Sequence, residues 1–353
     1  MHLNDSIYVA GHTGLVGSAL LRELERQGYT NIITRSFEEL DLRDQAATSD
    51  FFAAHRPAYV FLAAAKVGGI GANAAYPADF LTQNIAISFN VINAAYAQGT
   101  TKLLNFGSSC IYPRLAPQPI PENALLSGPL EPTNEAYALA KIAALKLCAS
   151  YHQQHGANFF SVMPTNLYGI NDSYDLETSH VLPALIARFH QAKITQATEV
   201  TLWGDGSPLR EFLYADDLAC AAVHLMQHCN AADIGSHINI GSGQEVSIAE
   251  LAGLVRKAVY SASAPDATSP RRSTEPSRTP RSLGFSRGAW ASPRPATSGA
   301  LALPGIVWDK SKPNGIPRKL LDSRRIKALG WEASTALSDG ITAAYTDYLA
   351  RAL

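Results

Sequence analysis

Over its first 165 residues the chain alternates short apolar runs with longer segments of helical period, and this pattern limits the folds open to it. The runs are residues 6–10, 30–34, 59–64, 102–106 and 159–163. Each is almost continuously apolar, the pattern of a strand covered on both faces rather than one face only. Between them lie 15–27, 45–55, 78–98 and 135–155, where apolar residues recur every three or four positions. Repeated strand-helix-strand units of this kind predict an α/β fold with a doubly wound parallel sheet. After Pro164 the alternation loosens into a helix at 180–193, strands near 200–203 and 211–214, a helix at 217–228 and a strand at 237–240. The expected organisation is a Rossmann-type sheet domain over 1–170, to which about 208–242 returns, and a smaller C-terminal lobe over 171–353.

Residues 260–304 break both periods. They hold seven prolines, nine serines and six arginines against one Asp and one Glu. Too little apolar surface is available there to offset the entropy of ordering, so the stretch reads as a disordered insert within the lobe. A basic arm that binds a partner is the other reading, as is sequence absent from the mature protein.

The 353 residues carry 29 basic and 30 acidic side chains, a formal charge of -1. No net field would draw such a molecule to nucleic acid or to an anionic membrane, and any anionic ligand must be caught locally. No stretch approaches the roughly 20 apolar residues of a membrane span, and the N-terminus lacks the pattern of a secretory signal. Cys110, Cys148, Cys220 and Cys229 form no CxxC pair, which fits reduced thiols. A soluble, cytoplasmic protein without a metal site is expected.

Gly11-His12-Thr13-Gly14-Leu15-Val16-Gly17 follows the first predicted strand and opens the first helix. Glycines there permit a sharp turn, close approach of backbone to a pyrophosphate, and tight helix-strand packing, while the helix N-terminus faces the anion. A dinucleotide is therefore expected. At the end of the second strand Arg35 suits a 2′-phosphate and favours NADP, although Glu38 and Glu39 keep NAD open. Tyr137 and Lys141 stand four residues apart on one helix face, where a cation can lower the phenol pKa. Ser108 lies just beyond the fourth strand, at the carboxyl end of the sheet where such folds bind ligands.

In these residues the chain resembles the extended short-chain dehydrogenase/reductases and, more narrowly, the family of GDP-L-fucose synthases. The resemblance is carried by the glycine loop, by Ala63-Ala64-Ala65-Lys66-Val67-Gly68-Gly69-Ile70, by Gly107-Ser108-Ser109-Cys110-Ile111-Tyr112-Pro113, by Glu131 to Tyr137, by Val162 to Gly169, and by Arg210-Glu211-Phe212-Leu213. It spans the chain outside 260–304. It implies an NADPH-dependent enzyme acting on GDP-4-keto-6-deoxy-D-mannose, and a homodimer joined through helices of the sheet domain. Epimerisation at C3 and C5 would use Cys110 as base and His180 as acid. Reduction at C4 would use Tyr137 as proton donor, with Ser108 and Lys141 assisting.

The same resemblance implies that the dinucleotide is lined by the Gly11–Gly17 loop, Arg35, Leu42, Ala63, Ala64, Ala65, Phe106, Gly107, Ser108, Ser109, Lys141, Pro164, Thr165, Asn166, Leu167 and His180. For the GDP-sugar it points to Asn166, Arg188, Trp203, Arg210 and Asn314. The guanidinium groups match phosphate oxygens, and the indole offers a face to a sugar or base. Asn314 stands where the family usually has an aspartate. Rival readings are a nucleotide-sugar 4-epimerase or 4,6-dehydratase of the same superfamily, and a dinucleotide-binding scaffold without activity. Ser109-Cys110 argues against the first, because dehydratases usually carry an Asp-Glu pair there and 4-epimerases need no thiol.

Overall fold

The computed structural model describes residues 1–176, 179–261, 302–312 and 314–352. The first half builds β1 (Ile7–Ala10), α1 (Leu15–Arg26), β2 (Ile32–Ile33), α2 (Gln45–His55), β3 (Tyr59–Leu62), α3 (Ile70–Ala75), α4 (Pro77–Ala97), β4 (Lys102–Phe106), α5 (Glu135–His155) and β5 (Phe159–Pro164). The predicted strands and long helices all appear, with ends shifted by a few residues. The second half adds β6 (Asn166–Tyr168), α6 (Val181–Thr195), β7 (Glu199–Trp203), β8 (Leu209–Tyr214), α7 (Ala215–His228), α8 (Ala231–Ile234), β9 (His237–Ile240), β10 (Glu245–Ser247) and α9 (Ile248–Ser261). Beyond these lie β11 (Gly305–Asp309), β12 (Arg318–Lys319), α10 (Arg324–Ala328) and α11 (Leu337–Ala352).

Six strands form a parallel sheet in the order β2-β1-β3-β4-β5-β9. Period-two side chains explain why its strands read as unbroken apolar runs. Ile7 and Val9 pack on one face with Leu20, Leu24, Leu218 and Met226, against α1 and α7. Tyr8 and Ala10 pack on the other with Phe52, Val91 and Ala144, against α2, α4 and α5. Both faces are thus removed from water, each large side chain contributing about 1.5–3 kcal/mol. The strand order reverses between β1 and β3, and a sheet of this kind offers its ligand crevice at the carboxyl ends beside that switch.

The lobe has its own core of Leu182, Ile186, Phe189, Leu202, Phe212, Val255 and Tyr345. β8 is its spine, pairing with β10, β12 and β6, while β7 pairs with β11. Within 208–242, β9 lies in the large sheet and β8 in this smaller one. The stretch read as an insert over 260–304 falls mostly on residues 262–301, which lie outside the described residues. On its near side α9 continues to Ser261, and on its far side Arg256 Nη1 donates to the Pro304 carbonyl at 2.8 Å just before β11. Among the described residues no helix is long and apolar enough to cross a membrane.

The glycine loop shows how sequence enforces the site-bearing end of the sheet. A Cβ on Gly11, whose φ is +83°, would lie 2.7 Å from the Ala64 backbone, and one on Gly17 would lie 2.0 Å from the Gly11 carbonyl oxygen. Backbone rather than a movable side chain blocks both positions. Gly17→Ala is expected to lower stability by about 1–3 kcal/mol, the usual cost of overpacking. A thermal-unfolding midpoint equal to that of the parent would contradict this packing.

Candidate active site

At the N-terminus of α1 the backbone is left open to an anion. Gly14 caps the helix without any side-chain hydrogen bond, and its missing Cβ would touch nothing nearer than the Gly11 oxygen at 3.5 Å. Protein packing therefore does not require this glycine, and its effect is to clear space before the helix amides. Nearby, His12 Nδ1 is buried without a hydrogen-bond partner, and burial holds the ring pKa below the usual range, outweighing the Glu39 charge. An orphaned buried polar atom is costly and is suited to a ligand. Arg35 lies at the end of β2 with its guanidinium 5.6 Å from the Phe51 ring centroid. One of its amines donates to the Thr34 carbonyl and another meets His55 Nε2 at 2.9 Å. Leu42 and Phe106 are core side chains, and Ala63 continues the β1–β3 ladder through its N–H to Ala10. These features fit the phosphates of a dinucleotide.

The loop after β4 brings the polar residues together. A Cβ on Gly107 would meet the end of the Met163 side chain at 2.2 Å, so the turn packs closely on β5. Ser108 then caps a single 3-10 turn, its hydroxyl accepting from the Cys110 N–H at 3.3 Å, and Ser109 and Cys110 are buried. From α5, Lys141 Nζ donates to the Phe106 carbonyl at 2.8 Å and lies 5.8 Å from the Tyr137 ring centroid. The four-residue spacing does place both side chains on one helix face. Burial pushes the Lys141 ammonium down to about 8. It pushes the Tyr137 phenol up rather than down, with the Cys110 charge adding to the effect. The lowering read from the Tyr-Lys pair is absent because desolvation outweighs a cation that has turned to a carbonyl.

Lys319 is a site residue that sequence reasoning missed. It lies in β12, where it pairs with Arg210 of β8, and its charge reaches Cys110, His180 and Arg210. Burial raises the Cys110 thiol pKa, while Lys319, the Ser108 hydrogen bond and Lys141 oppose that rise. His180 caps α6 with part of its ring facing solvent, yet the surrounding protein desolvates it and Lys319 repels its cation, so its pKa falls. The two-residue strand is too short for any period to show. Its only sequence signal is a basic pair between Pro317 and the apolar Leu320-Leu321. Glu211 fixes its place: the fully buried carboxylate accepts from the Leu321 N–H at 3.0 Å and the Gly243 N–H at 2.7 Å. The Glu211 carbonyl in turn accepts from Asn166 Nδ2 and Thr165 Oγ1, which follow Pro164 toward Leu167.

The other lobe residues are arranged less uniformly. Arg210 is half-buried, with its pKa lowered by burial and one amine on the Leu209 carbonyl. The Arg188 side chain on α6 makes no hydrogen bond or ion pair among the described residues, and Trp203 is 63% exposed beneath Lys312 Nζ at 5.6 Å. Asn314 spends its carbonyl oxygen on the Asp205 N–H at 2.9 Å. Its amide nitrogen lies against the Asp205 carboxylate and helps to hold that acid below the ordinary range, where an aspartate would set two acids side by side. A buried network anchors the thiol loop from below. The Tyr112 hydroxyl donates to Asn239 Oδ1 at 2.5 Å and lies 3.0 Å from His237 Nε2, while Ser236 Oγ meets Nδ1. That pattern assigns the proton to Nε2, and burial holds the His237 ring down to about 4.

Residues 7–241 match the model of the NAD dependent epimerase/dehydratase family. A putative GDP-L-fucose synthase 2 of Arabidopsis thaliana is 51% identical over 97% of this chain and 91% of its own length. The GDP-L-fucose synthase of Escherichia coli K12 is 44% identical over 97% of this chain and 96% of its own. A GDP-mannoheptose C4 reductase from Campylobacter jejuni, solved with NADP bound, superposes with a TM-score of 0.79 at 34% identity, covering 99% of both chains. The chain therefore belongs to the NAD-dependent epimerase/dehydratase family and, within it, to the GDP-L-fucose synthases.

Proposed function

We propose that this protein converts GDP-4-keto-6-deoxy-D-mannose to GDP-L-fucose, with NADPH as reductant. The observation that carries the reading is the convergence of a buried thiol, a phenol, an ammonium pair and an imidazole at the carboxyl end of the sheet, beside a phosphate-binding loop. A 4-keto sugar has acidic C–H bonds on carbons next to the carbonyl, so its inversion needs a base, an acid on the opposite face and a partner for the enolate oxygen. Cys110 serves as the base and keeps the proton it removes, while His180 gives a proton of its own to the opposite face. The hydroxyls of Ser108 and Tyr137 hold the enolate oxygen at C4. When bound, the reduced dinucleotide supplies hydride to C4. Tyr137, kept protonated by its raised pKa, then gives its proton to the resulting alkoxide, and Lys141 holds the phenol side of the site in place.

Arg210 and Arg188 take the diphosphate, Trp203 offers its face to the sugar or base, and Asn314 donates to the nucleotide half. Arg35 selects the 2′-phosphorylated dinucleotide. We place the enzyme in the cytoplasm, with its cysteines free, and as a homodimer joined on the α4–α5 face. That face bears the exposed Tyr96, its ring centroid 4.5 Å from that of Tyr151 at a tilt of 36°. Incubated with GDP-4-keto-6-deoxy-D-mannose, the purified protein should oxidise one NADPH per GDP-L-fucose formed. NADPH left unchanged, beside turnover of UDP-galactose, would overturn the reading in favour of a 4-epimerase.

Lys319 gives this scheme an electrostatic test. A nearby cation favours the thiolate, so removing it raises the pKa of the base. Lys319→Met should shift the acidic limb of the exchange rate to higher pH by about one unit, with a loss of about tenfold at neutral pH. An unshifted limb would remove Lys319 from the chemistry.

A further inference from the structure

The peptide that joins Thr13 to Gly14 sits in the glycine loop immediately before α1, so its direction sets how the loop enters the helix. Gly14 has no Cβ to restrict that peptide, and no side chain caps the helix there. Rotated, the peptide would lose its bond to Gly11 and set one carbonyl oxygen against another, displacing the loop that carries the α1 N-terminus. The N–H end is held within the loop, Gly14 N to Gly11 O at 3.1 Å. The C=O end is held from the other lobe, because Asn171 Nδ2 donates to the Thr13 oxygen at 2.7 Å.

Asn171 is itself clamped. Its φ is +69°, a left-handed turn that Asn tolerates better than most residues. Its N–H donates to Asp347 Oδ2 of α11 at 2.9 Å, and Arg351 donates to that same carboxylate at 2.7 Å and to the Asp172 carbonyl at 2.8 Å. Three residues along the chain, Tyr174 donates to the Ala344 carbonyl of α11 at 2.8 Å and packs edge-on against Tyr348. The last helix of the chain thus reaches the cofactor loop of the first domain through one amide.

We infer that Asn171 is a positioning residue for dinucleotide binding, orienting the Thr13–Gly14 peptide from the C-terminal helix through Asp347. This rests on the reading of the site as an NADPH site. Because the residue acts on the loop and not on the reacting sugar, its loss belongs in the dinucleotide constants alone. Asn171→Gly suits the left-handed backbone and removes the amide, so its fold should persist. Asn171→Asp keeps the size but opposes one acceptor with another.

The test is titration of NADPH fluorescence on the full-length protein, beside steady-state kinetics and thermal unfolding. Asn171→Gly should raise the NADPH Kd and KM by about threefold to tenfold, the effect of one neutral hydrogen bond. The KM for the GDP-sugar and the unfolding midpoint without ligand should stay unchanged. Asn171→Asp should weaken binding further, and Asp347→Ala should weaken it without adding to Asn171→Gly, since both act through one contact. Equal NADPH affinity in parent and Asn171→Gly, or additive losses in the double variant, would overturn the inference. A parent that binds no NADPH would instead overturn the cofactor reading itself.

Discussion

Cys110→Ser is expected to reduce solvent-deuterium incorporation at C3 and C5 of the GDP-keto-sugar by about 10²–10⁴-fold, the range a positioned general base supplies. A serine hydroxyl in the same place keeps the packing and the N–H geometry of the turn but does not ionise near neutrality. NADPH binding should survive, because the sulfur lies in the thiol loop and not in the phosphate cradle. The parent enzyme adds a pH signature: burial holds the thiol above its ordinary pKa, so the basic form is scarce near neutrality and exchange should climb as pH rises. Equal exchange in parent and variant, measured by mass spectrometry of the sugar, would remove the thiol from the reaction.

Tyr137→Phe should separate the two stages. The ring still packs edge-on against Phe80, so the helix face remains intact. Hydride transfer without a proton for the C4 oxygen leaves an alkoxide in a desolvated site, and the reductive rate should fall by about 10²–10⁴-fold. Exchange at C3 and C5 should fall less, because Ser108 still meets the enolate oxygen. The measurement is a paired assay of NADPH consumption and deuterium incorporation on the same sample. Parallel losses in both would mean that the phenol serves the enolate chiefly, and that another group protonates the product.

What could be read beforehand follows from where each residue gets its signal. The strands Ile7–Ala10, Lys102–Phe106 and Phe159–Pro164 were legible because burial on both faces leaves no polar position to blur them. The glycine loop was legible because backbone contact at Gly11 and Gly17 admits no side chain. Ser108, Tyr137 and Lys141 stood out by spacing and by place on the sheet, while Cys110 and His180 needed the family resemblance. Lys319 was hidden, since its role comes from pairing two residues of β12 with a strand more than a hundred positions earlier. The direction of the Tyr137 shift was misread for a related reason: spacing reveals a neighbouring cation but not the depth of burial. Asn171 likewise gave no sign, because its partners Thr13 and Asp347 lie 158 and 176 positions away.

The imidazole under the thiol loop has one more effect. His237 titrates at about 4 in the folded protein but near 6.5 when exposed. From neutrality upward both states carry it uncharged, so the support beneath Cys110 holds steady over the range in which the reacting groups change charge. On the acid side the unfolded chain gains a proton that the native one refuses, and the native state is progressively undermined as pH drops from about 6.5 toward 4. Acid inactivation would then begin as loss of the scaffold around the sulfur rather than as titration of the sulfur itself.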